Sequence, residues 1–264
     1  MLKNFKFDDF MLRLVSAVVL LSIAICSLYL GNFVYSLFVL FLSIILFYET
    51  CKLLNPKITT RILSLQLIAV FFVLVVHLRN GAFDSSFLLF LPAILLIFTC
   101  GSNRLLSFCT GLLLLVSLMT FFELKLHFGT ITLLWLVTCV IVTDLAGYFV
   151  GRIAGGPKVW PFISPNKTWS GLVGGWFFSL LFGSFFMIYF EASLFVLLLS
   201  LIVSISSQIG DFYESWLKRR IKKKDSSGLI PGHGGFMDRF DGFIGGAVGF
   251  KASLLFINPS LVMF

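Results

Sequence analysis

The sequence predicts an all-α fold, a polytopic integral membrane protein of about eight or nine transmembrane helices with its N-terminus in the cytoplasm. Three observations lead there. Of 264 residues, 59% are hydrophobic and only 12% are charged, with a mean hydropathy of +1.03, whereas a soluble domain is about half apolar and a quarter charged. The apolar residues form continuous runs and do not alternate, which selects helices over the strands of a barrel. Basic residues then fall overwhelmingly on one side of those runs. The same composition excludes a soluble globular chain and a disordered one.

The runs lie at about 14–30, 33–48, 62–78, 86–100, 105–122, 130–150, 171–190, 192–210 and 242–263. At ~20 residues per span they use up most of the chain. With the N-terminus placed inside, 17 of the 20 Lys and Arg residues are cytoplasmic. Only Arg79 and Lys125 face the other way, and Lys251 sits within the last run. This split favours an odd number of spans. The net charge of +8 therefore reads as loops held against anionic headgroups, with the bilayer as partner and no nucleic acid. Cys26, Cys51, Cys100, Cys109 and Cys139 lie in or beside apolar runs without a CxxC pair, so they read as packing residues. No cleavable signal peptide is expected, because the first run lacks a small-residue cleavage site and further spans follow it. Residues 1–130 read as a scaffold of transmembrane helices, and 131–264 as a catalytic transmembrane region. The latter keeps two polar cytoplasmic segments, about 151–170 and 211–241.

The second segment carries the densest chemistry. Asp211 and Glu214 stand at helical spacing, and a basic run follows from Lys218 to Lys224. Asp225 precedes the turn-rich Ser226-Ser227-Gly228, and then come Pro231-Gly232-His233-Gly234-Gly235, Asp238-Arg239 and Asp241. Glycines at 232, 234 and 235 let backbone N–H groups approach a ligand. Asp238 and Asp241 share a face if helical. Carboxylates beside a Gly-rich turn suit Mg²⁺, which takes one or two carboxylates and completes its shell with water and phosphate oxygens. Nearby cations neutralise the remaining phosphate charge. Each feature alone has a plain reading: a juxtamembrane anchor, a loop histidine, helix-end glycines. Their concurrence points to a Mg²⁺–polyphosphate site at the cytoplasmic face.

The first segment adds Asp144, near the cytoplasmic end of the 130–150 run, where an ionisable residue is a functional candidate or else caps the next segment. It also adds Ser164-Pro165-Asn166-Lys167-Thr168-Trp169-Ser170-Gly171, a lysine and hydroxyls before a Gly-rich helix start that favours a phosphate.

The segment from Ser215 to Asp241 resembles the signature of phosphatidate cytidylyltransferases, also called CDP-diacylglycerol synthases. Ser215, Lys218, Arg219, Lys224, Asp225, Pro231, His233, Gly234, Gly235, Asp238, Arg239 and Asp241 stand at that family's spacing. Gln208, Gly210, Asp211, Glu214 and Ser215 resemble its Q-x-G-D-x-x-E-S element. Asp144, Tyr148 and Gly151 resemble its D-x-x-A-Y-x-x-G element, and Ser164, Pro165, Lys167, Thr168 and Gly171 its S-P-x-K-T-x-x-G element. Ser170 stands where the family often has Glu or Gln. The resemblance covers about 140–245. It implies transfer of the cytidylyl group of CTP to phosphatidate, giving CDP-diacylglycerol and pyrophosphate, with Mg²⁺, alone or beside a second cation, and a homodimer. On that reading Asp211 and Asp238 hold metal, with Asp241 and Asp144 as further candidates. Lys167, Lys218, Arg219 and Arg239 bind phosphates, helped by Ser164, Thr168 and Lys224. Gly232, Gly234, Gly235 and His233 form the phosphate-facing turn, unless His233 donates to the leaving pyrophosphate.

Two other readings fit the sequence less well. A CDP-alcohol phosphotransferase needs Ala-Arg after an Asp-Gly start, and Asp241-Gly242 lacks it. A transporter of an anionic or lipid substrate would use Asp144 and Lys251 as intramembrane charges, but calls for repeated halves. The economy of loops favours a bacterial inner membrane, with a multi-pass chain and an active site facing the cytoplasm.

Overall fold

The computed structural model describes residues 18–19, 22–80, 90–99, 103–230 and 234–257. Among them are nine helices and one two-stranded sheet. Helix α1 is described over 22–29. Then follow α2 (Asn32–Leu54), α3 (Thr60–Asn80), α4 (Phe90–Thr99), α5 (Arg104–Leu126) and α6 (Thr130–Ala154). Strands β1 (Lys158–Trp160) and β2 (Ser164–Thr168) lead to α7 (Trp169–Tyr189), α8 (Phe195–Arg220) and α9 (Met237–Ser253). Six of these helices, α2, α3 and α5 to α8, are long and apolar enough to cross a membrane. The chain is thus the helical, polytopic membrane protein its composition predicts.

Two departures from expectation shape the site. The run expected to stop at 210 continues to Arg220 as a single helix of 26 residues, about 39 Å long. No Gly or Pro interrupts 211–220, and Lys218 Nζ lies 2.6 Å from Glu214 Oε2, an i,i+4 pair that supports the added turns. The polar segment expected at 151–170 contains a β-hairpin that the apolar pattern did not predict. Its strands pair antiparallel, Lys158 with Thr168 and Trp160 with Ser164, with an irregularity between. Pro157, Pro161 and Pro165 bar a helix there, and the Trp169 amide closes the base onto the Pro157 carbonyl at 3.1 Å.

Small residues bring paired helices into backbone contact, as membrane packing favours. A Cβ on Gly171 of α7 would come within 2.6 Å of the Gly147 carbonyl of α6. Helices α8 and α9 cross as closely at Gly210 and Gly245. Trp135, Phe47, Phe122 and Phe250 fill the buried middle. At the end of the bundle away from the hairpin, Lys251 of α9 pairs with buried Glu123 of α5, and His77 Nε2 lies 3.7 Å from the same carboxylate. Lys251, an isolated charge in the sequence, thus has its counter-ion in the first half of the chain.

Candidate active site

The C-terminal end of α6, the hairpin and the start of α7 enclose a cavity of about 820 Å³ against α8, within the ~300–1,000 Å³ range of small-molecule sites. Asp144, Asp211, Lys167, Thr168, Arg152 and Lys158 are among the residues that line it. Helix α6 presents Asp144 because the 130–154 helix runs on past its apolar stretch. Helix α8 presents Gln208, Asp211 and Ser215 three and four residues apart, on one face. Ser215 donates to Asp211 Oδ1 at 3.3 Å. The Gln208 amide is held from α7, donating to the Leu172 carbonyl and accepting from Trp176 Nε1.

Lys167 is fixed from two directions. Its ammonium pairs with Asp211 and sits 4.6 Å from the centre of the Phe212 ring. It is carried by β2, one residue before Thr168, the N-cap of α7, whose hydroxyl accepts from the Gly171 amide at 3.2 Å. The N-terminus of α7 therefore opens beside a lysine, the arrangement that attracts a phosphate. Ser170 donates to the Gly155 carbonyl at the end of α6 and exchanges a hydrogen bond with Thr168 at 3.0 Å. At this position, where the resembled family often has Glu or Gln, the hydroxyl closes the turn between α6 and α7.

The remaining residues form a second group behind the cavity. Asp238, in the first turn of α9, accepts from Lys218 at 2.5 Å and from the amides of Ser226 and Gly235, each at 2.8 Å. The Ser226 hydroxyl adds a fourth bond at 2.9 Å. Burial acts to raise the Asp238 pKa, but Lys218 and these amides outweigh it and hold the carboxyl below its ordinary value. Asp241 is pushed the other way, by burial first and then by the charges of Asp211 and Asp144. Asp144 abuts the same turn, its Oδ2 3.5 Å from where a Cβ on Gly242 would stand. Three carboxylates thus crowd the junction of α6, α8 and α9. Among the described residues no three His, Cys, Asp or Glu side chains enclose a metal by themselves. Asp144, Asp211 and Asp241 are the carboxylates that meet at this junction.

Of the sequence-predicted residues, the cavity brings together Asp144, Asp211, Lys167 and Thr168. Lys218 and Asp238 meet behind it. Ser164 lies at the start of β2, opposite Trp160. Arg219 is exposed on the last turn of α8, donating to the Lys223 carbonyl at 3.3 Å, Lys224 is exposed beyond that helix, and Arg239 is exposed on the first turn of α9. Gly232 and His233 lie outside the described residues. Ile230 and Gly234 bridge the ends of that segment, the Ile230 amide donating to the Gly234 carbonyl at 2.8 Å. Gly234 has φ +84°, a left-handed conformation that disfavours a side chain.

Sequence reasoning missed Arg152 and Lys158 in the cavity wall, and Glu49 behind the loop. Each had a signal. Arg152 and Lys158 flank Gly155-Gly156 in a polar segment already singled out, and Glu49 is an acid at the end of an apolar run. A second cavity of about 300 Å³ lies between α5, α8 and α9. Its walls include Leu113, Ile209, Ile244 and Val248, and its polar end is Glu214 and Asp241.

The chain matches the model of the Cytidylyltransferase family over residues 11–257. It is 36% identical over 244 residues to a protein of Brucella suis biovar 1 (strain 1330) named phosphatidate cytidylyltransferase, covering 89% of each chain. A protein of that name from Staphylococcus haemolyticus (strain JCSC1435) is 32% identical over 247 residues, 88% of this chain and 94% of its own. One from Bacillus subtilis (strain 168) is 43% identical over 111 residues, about 40% of each. With the family's match running from before the first described helix through the last, and the carboxylate–lysine cavity built from its motif residues, this chain belongs to the cytidylyltransferase family.

Proposed function

We propose that the 820 Å³ cavity and the α9 loop behind it are where this enzyme transfers the cytidylyl group of CTP to phosphatidate, giving CDP-diacylglycerol and pyrophosphate. The observation that carries the assignment is the convergence of Asp144, Asp211 and Lys167 on one cavity at the N-terminus of α7. An oxygen of the lipid phosphate attacks the α-phosphorus of CTP, and the bond to the bridging oxygen of the departing pyrophosphate breaks. The nucleophile is already anionic, so the site needs positioning and charge neutralisation more than a base. Lys167, Arg152 and Lys158 supply positive charge to the nucleotide phosphates, and the α7 amides supply further donors. Asp211 with Asp144 or Asp241 would hold Mg²⁺, which when bound neutralises polyphosphate charge. Asp238 serves the site differently, by fixing Lys218 against the loop. The apolar cavity between α5 and α9 ends at Glu214 and Asp241, which suits the glycerol end of a lipid. The excess of basic residues at the hairpin end supports a mouth facing the cytoplasm.

The test is incorporation of cytidine label from CTP into organic-phase lipid by the purified protein with phosphatidate. Label that requires Mg²⁺, and that falls about 10²- to 10³-fold in Asp211→Asn, is the expected result. Well-folded wild-type protein that produces no labelled lipid with Mg²⁺ present would sink the reading.

A further inference from the structure

The geometry points to Glu49, on a helix outside the motif-bearing half of the chain, as the positioning residue that sets the active-site loop. Glu49 is fully buried near the C-terminal end of α2. Its Oε1 accepts from the Phe236 amide at 2.9 Å and from the Ser227 hydroxyl, and its Oε2 accepts from the Met237 amide at 2.7 Å and from the Ser226 hydroxyl at 3.4 Å. Phe236 occupies the N-cap of α9 and has no side-chain oxygen with which to cap it. Glu49 supplies that cap from another helix, with its charge against the positive end of the α9 dipole.

The connection reaches Asp238 and Lys218 through Ser226. Its hydroxyl donates to Asp238 at 2.9 Å and also lies within reach of Glu49. Asp238 in turn receives Lys218. The two carboxylates therefore grip one loop from opposite sides, Glu49 through the amides of 236 and 237 and Asp238 through those of 226 and 235. Gly235 makes the grip possible, because a Cβ there would come within 2.8 Å of both Glu49 oxygens and run into the Ser226 hydroxyl. Nothing in this set touches the cavity lined by Lys167 and Arg152. Glu49 thus acts on turnover through loop geometry and not through nucleotide contact.

The experiment uses full-length protein in detergent and reads two quantities. Amide hydrogen exchange over 226–240 reads the grip whatever the reaction, while only the turnover measurement rests on the proposed function. Glu49→Gln replaces one acceptor oxygen by a donor facing backbone N–H groups. Exchange over 226–240 is expected to rise about tenfold or more, the scale of losing hydrogen bonds to a charged group. kcat should fall at least as far, with KM for CTP within about twofold of wild type. Leu46→Ala, which removes a buried side chain one turn earlier on α2, is the comparison. It should lower thermal stability while leaving loop exchange and kcat unchanged. If Glu49→Gln does not fold, the double variant Ser226→Ala, Ser227→Ala removes two of the four donors and should raise exchange over the same peptide. Wild-type exchange and kcat in Glu49→Gln, wild-type exchange in the serine variant, or an equal rise in Leu46→Ala, would each overturn the assignment.

Discussion

Asp238 illustrates how one side chain can bear on both folding and chemistry. Its carboxylate gathers Lys218, the Ser226 hydroxyl and two amides. Its folded pKa is held below the ordinary 3.8, since those partners outweigh the burial that opposes them. The sign follows directly. A depressed carboxyl contributes stability that is present above its unfolded value and is lost as pH falls through the folded one. The loop should therefore loosen below about pH 3.8. Thermal unfolding in detergent at pH 5 and at pH 3 checks this, and Asp238→Asn should show a smaller difference between the two. In the sequence Asp238 is a metal-ligand candidate at a spacing that puts it on one helical face with Asp241. The two do share α9, and spacing does not reveal that a lysine 20 residues earlier pairs with Asp238.

At the scale of elements, the site depends on two helix crossings that leave no room for a side chain. A Cβ on Gly210 of α8 would meet the Asp241 carbonyl at 2.5 Å and Gly245 Cα at 2.8 Å. Gly210→Ala should push α9 away from α8 at the point where Asp241 and Asp211 approach. The expected cost is ~1–3 kcal/mol of stability, with a larger loss of turnover, measured by chemical or thermal unfolding beside the label assay. Most of these elements were legible in the sequence, because continuous apolar runs dictate helices wherever lipid denies the backbone a partner. The hairpin was not. Its strands are three and five residues long and carry no alternating apolar face, so the prolines alone hinted that the segment is not helical. The extension of α8 to Arg220 was equally hidden from hydropathy, since its last turns mix charged residues, with Lys218 paired to Glu214, around the buried Leu217.

The whole molecule joins its two halves at both ends of the bundle. At the end remote from the cavity, Lys251 of α9 pairs with Glu123 of α5. Glu123 is buried, so removing its cation is costlier than removing the pair. Lys251→Met should destabilise by about 3–5 kcal/mol, the double variant Glu123→Gln, Lys251→Met should recover much of that, and both should keep the wild-type KM for CTP. Unfolding midpoints and steady-state kinetics on the three proteins test the separation. This pairing explains why a division into scaffold and catalytic halves is visible in the distribution of motifs and yet incomplete. The motif residues 144, 167, 211 and 238 are local signals, whereas the partners of Glu49 and Glu123 become visible only once helices distant in sequence are neighbours.

The tether at Glu49 also has a history in time. Glu49 and the Phe236 amide it accepts from are separated by 187 residues. At ~5–20 residues per second of synthesis, the carboxylate waits about ten to forty seconds for its partners. Throughout that interval α2 carries a carboxylate with no loop to receive it, so the C-terminal end of α2 cannot settle until α9 arrives. Nascent chains stalled before 237 should therefore remain distinguishable from longer ones by protease cleavage near the α2–α3 connection, and α2 reaches its final form only once the start of α9 has been made.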